Sequence, residues 1–339
     1  MLLTNAAKEH ENWHNCKKEL QQYLPEAHIH EVPIPDGKNE GELWQIFEAI
    51  TSVVDENDEL IIDITHGFRS LPMLALLAIA YLRQVKSAQI VAVLYGAYEA
   101  RNTDNEAPVF DLTPFVSLLD WLTAAKMFMA TGNGSELADL MRQAQAGAHK
   151  AGHPQPPKQL VKMSDTIRDI SRNLLTNRVP DIFPAVGELV KLLNDPQTQQ
   201  EIRQWLPPLV PLLKQVGESY APFAEDSLKA QAELVGWYAC HGHAIHALTL
   251  AREWLINYLL EQSGGDKMNV SRREQVSEDL NERARSNDPL PVVKAWSELS
   301  GLRNDIAHCG FREGAAKAKT LQTKAKEAYK TICEILETT

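Results

Sequence analysis

The pattern of the chain changes once, and that change limits the folds open to it. Up to Gly96, short β-rich runs alternate with helical patterns; from Pro114 onward the pattern is helical to the end. His28 to Ile34 reads as a strand and Glu42 to Val54 as an amphipathic helix. Glu59 to Thr65 is a near-continuous apolar run, the pattern of a strand buried on both faces. Leu71 to Gln84 reads as an apolar helix, and Gln89 to Gly96 as another buried strand. Such alternation implies parallel βαβ units with helices on both sheet faces, a Rossmann-like α/β domain. Met1 to Thr4 reads as the end of a strand, followed by a helix over Lys8 to Tyr23. The first strand of a doubly wound sheet sits in its middle. If Leu2-Leu3 is the second strand, a central strand and its helix are missing, through a mis-assigned start or a natural truncation.

In the helical part, Ala144 to Lys158 is rich in Ala, Gln, Gly and Pro and reads as a loop or hinge. Asp195 to Gln200 and the prolines Pro207, Pro208 and Pro211 break later helices. Ala230 to Gln262 reads as one long apolar helix ended by Ser263-Gly264-Gly265; Val292 to His308 and Ala315 to Glu337 are two further helices. The expected division is an α/β domain over 1–135, a linker over 136–160 and a helical region over 161–339, a length sufficient for two cores. The longest apolar run, Leu71 to Leu82, is too short to cross a bilayer. The N-terminus is polar within a few residues, unlike a signal peptide. Cys16, Cys240, Cys309 and Cys333 are scattered, which fits reduced thiols and a cytoplasmic location better than a disulfide framework or a zinc site. A net charge of -11 argues against nonspecific coating of nucleic acid through a broad basic surface, but not against a small cationic site.

Three constellations carry chemistry. Asp63-Ile64-Thr65-His66-Gly67-Phe68-Arg69-Ser70-Leu71-Pro72 lies where a buried strand hands over to a helix, and ligands of open α/β sheets bind outside the carboxyl ends of strands. Gly67 permits close backbone approach, and Thr65, Arg69 and the helix N–H groups suit an anion. A plain capped turn explains the same residues. Tyr95-Gly96-Ala97-Tyr98-Glu99 ends the next strand, with aromatic faces for a base and a carboxylate for a ribose hydroxyl or an exocyclic amine; a capped turn again is the alternative. Finally, Arg303-Asn304-Asp305-Ile306-Ala307-His308 sets a permanent cation and a titratable imidazole on one helix, which is either a helix C-terminus with a favourable His or an RNA-cleaving kit. Arg142 and His149, seven apart, form a decoy in the expected hinge. Cys240-His241-Gly242-His243-Ala244-Ile245-His246 lacks any metal-binding spacing and reads as a His-rich helix. Lys317, Lys319, Lys324, Lys326 and Lys330 crowd the last helix, which a solvated face explains.

Taken in order, DITHGFRSLP, VLYGAYEA, WYACHGHAIHALTLAREWLINYLL and LRNDIAHCGFR resemble the CRISPR-associated ribonucleases that join a CARF domain to a HEPN domain, in the subgroup named for a DxTHG motif, here Asp63 to Gly67. The resemblance covers nearly the whole chain. It implies a CARF domain that dimerises and binds a cyclic oligoadenylate, cyclic tetra-adenylate being usual, as an allosteric activator in type III CRISPR antiviral defence. It further implies a HEPN domain that cuts single-stranded RNA without a metal or other cofactor, as a homodimer or higher even oligomer. By the same resemblance Arg303, Asn304 and His308 are catalytic. Thr65, His66, Gly67, Phe68 and Arg69 form the ligand loop, with Tyr95, Gly96 and Glu99 as a second contact. The family begins with one more strand and a glycine-containing loop, whereas this chain opens at what resembles the second strand, with Thr4-Asn5 at its end. That departure bears on the nucleotide pocket more than on the helical site. Two other readings are a sensing module joined to a helical partner-binding or transcription-control domain, and an α/β domain that itself degrades its cyclic nucleotide.

Overall fold

The computed structural model describes residues 1–65 and 71–338. They divide into two compact units, Met1–Asp120 and Trp121–Thr339.

In the first unit, β1 (Leu2–Leu3) pairs in parallel with β2 (Val32–Pro33), connected through α1 (Asn5–Glu9) and α2 (Glu11–Tyr23). The expected single helix over Lys8 to Tyr23 is thus two, because His10 takes an extended conformation and its ring caps α2 through the Asn12 N–H. The strand expected over His28 to Ile34 shrinks to two residues. Next come α3 (Glu40–Ser52), β3 (Glu59–Asp63), α4 (Leu71–Val85), β4 (Gln89–Gly96) and β5 (Val109–Asp111). β3 and β4 are parallel; β5, which the sequence pattern did not indicate, returns antiparallel against β4. Among the described residues β1–β2 and β3–β4–β5 are separate sheets, so the expected single doubly wound sheet is corrected to two small ones.

The core of this unit is correspondingly thin. Val54, Leu82 and Ala88 pack with Ile50 and Leu60; Ile79, Val93 and Val116 pack with Ile62, Ile64, Ile90 and Leu112. Leu60 and Ile62 of β3 face inward, whereas Ile61 is 66% exposed and Val91 of β4 is also exposed. The expectation of strands buried on both faces is therefore wrong here. Successive side chains alternate between faces, and among the described residues one face is covered by helix. Arg83 of α4 holds Asp120 bidentately at 3.0 and 2.7 Å.

The boundary between the units falls inside α5 (Thr113–Thr131). The second unit continues with α6 (Ser135–Lys150), α7 (Gln159–Leu175), α8 (Val179–Asn194), α9 (Pro196–Trp205) and α10 (Val210–Tyr220). α11 (Leu228–Cys240), α12 (Ala244–Gln262), α13 (Val270–Arg285), α14 (Pro291–Ala307) and α15 (Ala318–Glu337) complete it. Residues 136–150, expected to be a linker, are helical instead. α6 buries Leu137, Ala138, Met141 and Ala148, so its Ala- and Gln-rich composition is that of an amphipathic helix with a narrow apolar side. Asp195 to Gln200 likewise starts a helix, with Asp195 accepting from the Thr198 N–H at 2.8 Å and Pro196 in the first turn, where its missing N–H costs nothing. The long helix expected over Ala230 to Gln262 breaks at His241–His243, where Gly242 adopts φ +82°.

This unit is densely packed. Tyr220 stacks on Phe128 with centroids 4.5 Å apart and donates its hydroxyl to the Phe128 carbonyl at 2.7 Å. Trp254 is fully buried and donates to the Leu228 carbonyl at 2.8 Å. α14 is anchored through Val292, Val293, Ala295, Trp296 and Leu299; the Trp296 ring carries the Arg252 guanidinium at 4.2 Å and its N–H reaches Asn281 at 3.0 Å. Beyond Leu299 the helix turns an open face to solvent.

Candidate functional site

At the carboxyl ends of β3 and β4 the structure brings Thr65 and Gly96 together. The Asp63 carboxylate accepts from the Thr65 N–H at 2.8 Å, a local turn that fixes the residue just past the strand. The Thr65 hydroxyl in turn accepts from the Gly96 N–H at 2.7 Å. A Cβ at Gly96 would lie 3.1 Å from the Thr65 side chain, a tight contact that a small shift of Thr65 would relieve. Tyr95 is exposed beside it, and Glu99 is exposed in a short 3-10 turn, Tyr98–Ala100. Tyr98 carries the Arg101 guanidinium on its ring at 4.2 Å. Aromatic faces, a carboxylate and a cation thus share one sheet edge. His66, Gly67, Phe68 and Arg69 lie outside the described residues. Thr4 and Asn5 sit on the other sheet: Thr4 is 7% exposed and its hydroxyl caps α1 through the Ala7 N–H at 3.2 Å, while Asn5 opens that helix exposed.

The second constellation occupies the end of α14. Arg303 and Asn304 are exposed, and His308 is the exposed C-cap. Asn304 and His308 are four residues apart and share a face, with Arg303 beside Asn304. Among the described residues none of these three side chains is tied by an ion pair or hydrogen bond, so donor, cation and imidazole are free to meet a substrate. Gly301, one turn earlier, faces open space. The helix ends as expected before Gly310, but the first left-handed residue is Cys309 at φ +51°, followed by Gly310 at +74°. The Cys309 N–H donates to the Ile306 carbonyl at 3.0 Å and the Gly310 N–H to that of Asp305 at 3.2 Å, the paired bonds of a Schellman ending.

Asp305 was not legible as special in the sequence. It is 7% exposed, and one carboxylate oxygen accepts from the Ala316 N–H at 2.8 Å while the other has no protein partner. It thereby pins the far end of the loop that follows His308 back onto α14. Of the nearby lysines, Lys324 is held by Glu298 at 2.5 Å and Glu327 at 2.7 Å, which pushes its pKa up. Lys317 and Lys319 are exposed at the start of α15.

Elsewhere the His-rich segment forms a packed turn. His241 stacks on Trp237 at 4.4 Å and donates to its carbonyl at 2.7 Å; His243 donates to the Thr131 carbonyl at 3.1 Å, and His246 to that of Leu175 at 3.2 Å. Burial, and then the neighbouring His246, hold the His243 pKa below its ordinary value. Arg142 is engaged by Asp165 and by Ser164 at 3.3 Å. It belongs to a well-packed helix rather than to a loose hinge, and this ion pair is what separates it from Arg303.

Comparison with known proteins bears on the two units unequally. Residues 2–99 match the family model of the CARF domain of the CRISPR system endoribonuclease Csx1. Residues 117–222 match that of the second domain of CRISPR-associated protein MJ1674. The chain is 24% identical over 215 residues to CRISPR-associated protein MJ1674 of Methanocaldococcus jannaschii, covering 60% of this chain and 32% of that protein. The chain thus spans about a third of the length of this relative. Arg303, Asn304 and His308 lie outside both matched segments. The N-terminal unit is therefore similar to a CARF domain of the Csx1 type, followed by a mostly helical region.

Proposed function

We propose that this chain is a ligand-gated endoribonuclease of type III CRISPR defence, in which the N-terminal unit senses a cyclic oligoadenylate and the end of α14 cuts single-stranded RNA. The observation that carries the reading is the placement of Arg303, Asn304 and His308. All three are exposed on one helix end, free of other side-chain partners among the described residues, in a chain whose N-terminal residues match the Csx1 CARF model.

The chemistry is transesterification. The substrate's own 2′-hydroxyl attacks the adjacent phosphorus; the new O2′–P bond forms as the P–O5′ bond breaks, leaving a 2′,3′-cyclic phosphate and a 5′-hydroxyl. The proton lost by the 2′-oxygen is matched by one gained at the 5′-oxygen. Arg303 stabilises charge on the phosphoryl oxygens, His308 moves a proton, and Asn304 orients the phosphate by hydrogen bonding. Because the nucleophile belongs to the substrate, the reaction asks for no metal-bound water. One Arg and one His are sparse for this task, and a two-fold dimer supplies two of each in one cleft. At the strand ends, Thr65, Gly96, Tyr95 and Glu99 provide the ligand contacts, together with His66 to Arg69; the Thr4 hydroxyl, on the other sheet, is engaged in capping α1. Activation requires the ligand to bind the active arrangement more tightly than the inactive one.

A fluorescent RNA cleavage assay, run with and without cyclic oligoadenylates of several ring sizes, tests both halves. His308→Ala and Arg303→Ala are expected to lower the rate by about 10²–10⁴-fold with melting temperature unchanged. Full activity in either variant sinks the site assignment; a rate indifferent to every ring size sinks the regulatory half.

A further inference from the structure

Phe311 is the most exposed large apolar side chain of the second unit, at 91%. Its position is not that of a floppy loop tip. The Phe311 N–H donates to the His308 carbonyl at 2.9 Å, and the Arg312 N–H to the Gly310 carbonyl at 2.9 Å. Cys309, Gly310 and Gly314 adopt left-handed backbone, so the loop turns sharply at both ends. The buried Asp305 carboxylate fastens its far end through Ala316. A loop restrained in this way holds a full aromatic face out to water, one backbone hydrogen bond from His308.

The surroundings of the ring decide what it can bind. Arg303, Asn304, His308, Arg312, Lys317 and Lys319 are its exposed polar neighbours along the chain, Glu313 being the one acid in the loop. No exposed large apolar side chain lies between Leu290 and Phe311 or between Phe311 and the end of the described chain. A lone exposed aromatic in a stretch of chain whose exposed residues are mostly cationic does not suit an apolar protein face, which needs neighbours of its own kind. It suits a nucleobase, whose π-face stacks on the ring while the attached phosphates meet the cations.

We infer that Phe311 is a base-stacking residue that seats a nucleotide next to the scissile phosphate, and that Asp305 is the positioning residue that keeps its loop in place. The inference rests on the RNA-cleaving reading of α14. Stacking acts on binding and register rather than on proton transfer, so it separates KM from kcat. It also favours bases with larger π-faces, so Phe311 biases which nucleotide flanks the cut.

The test uses the full chain in two measurements. In steady-state cleavage, Phe311→Ala is expected to raise KM about tenfold with kcat changed less than about threefold, and Phe311→Trp to restore it. In the inactive His308→Ala background, a short single-stranded RNA carrying one 2-aminopurine is expected to lose fluorescence on binding, and Phe311→Ala to abolish that quench. Asp305→Asn, which keeps an acceptor for Ala316, is expected to retain the quench, and Asp305→Ala to weaken it. An unchanged KM and quench in Phe311→Ala, while His308→Ala is inactive, overturns this inference and leaves the cleavage site standing. Dissociation of the Phe311→Ala chain into smaller species on sedimentation also overturns it, since the ring would then belong to an interface. If Arg303→Ala and His308→Ala cleave normally, or no RNA binds, both readings fall together.

Discussion

The two units differ in how much apolar surface they keep from water. Trp121–Thr339 encloses Trp254, Trp296, Tyr220, Tyr238, Phe128 and Phe183 almost completely, whereas Met1–Asp120 leaves Trp44, Ile61, Met73, Leu77, Val91 and Phe115 exposed. The cause is architectural. Helical hairpins such as α6–α7–α8 bury a side of each helix against the next, while a three-stranded sheet offers one covered face and a two-stranded ribbon almost none. The lesson is that Arg303 and His308 stand on a closely packed unit, while the first unit is thin. A thin unit is the easier one for a bound ligand to reorganise, since local opening costs least where few apolar contacts are lost.

The sharpest way to break that contrast is a pair of tryptophan truncations. Trp254→Ala is expected to cost about 3–5 kcal/mol in denaturant unfolding, through the cavity left and the loss of the bond to Leu228. Trp44→Ala, exposed on α3, is expected to stay within about 0.5 kcal/mol, and a comparable loss there would show that the first unit is packed after all. Glycine substitutions probe the same difference at lower amplitude. A Cβ at Gly134 would clash with Ile167 and lie 2.8 Å from Phe128, so Gly134→Ala is expected to cost about 1–3 kcal/mol. At Gly96 the nearest contact is the Thr65 side chain at 3.1 Å, which can shift, and Gly96→Ala is expected to cost under about 1 kcal/mol.

The smallest effect concerns acid. Burial and then His246 lower the His243 pKa in the folded chain, so between that value and the ordinary His value of about 6.5 the unfolded chain binds more protons. Stability from this group is complete above about pH 6.5 and declines as pH falls toward the folded pKa. Melting temperatures followed from about pH 8 to about pH 5.5 should drop at the acid end, and His243→Asn should flatten that slope. A wild-type melting temperature that rises on acidification would reverse the assignment.

Much of the helical half was legible because its signals are local. Gly310 follows the end of α14, and Ser263-Gly264-Gly265 the end of α12, while Pro291, expected in the break before α14, is its first residue. Composition and conformation part in three places. The Ala- and Gln-rich α6 gathers its few apolar residues on one side, and Leu137, Ala138, Met141 and Ala148 suffice to seat it. The break at His241–Gly242–His243 lies between two apolar helical stretches that share a period, and Gly242 supplies the turn there. β5 is three residues long, too short to declare itself without the strand it pairs with.

The change from α/β to all-helical and the strand Gln89–Gly96 can be read from the chain alone, because periodicity and residue chemistry are local properties. Only the folded chain shows that Thr65 reaches across thirty-one residues to the Gly96 N–H, and that Arg142 is paired while Arg303 is free. It also shows that a carboxylate inside the motif is buried to hold a loop whose aromatic ring faces water. Each of these depends on which distant groups the fold places within hydrogen-bonding range, and no spacing along the chain encodes that.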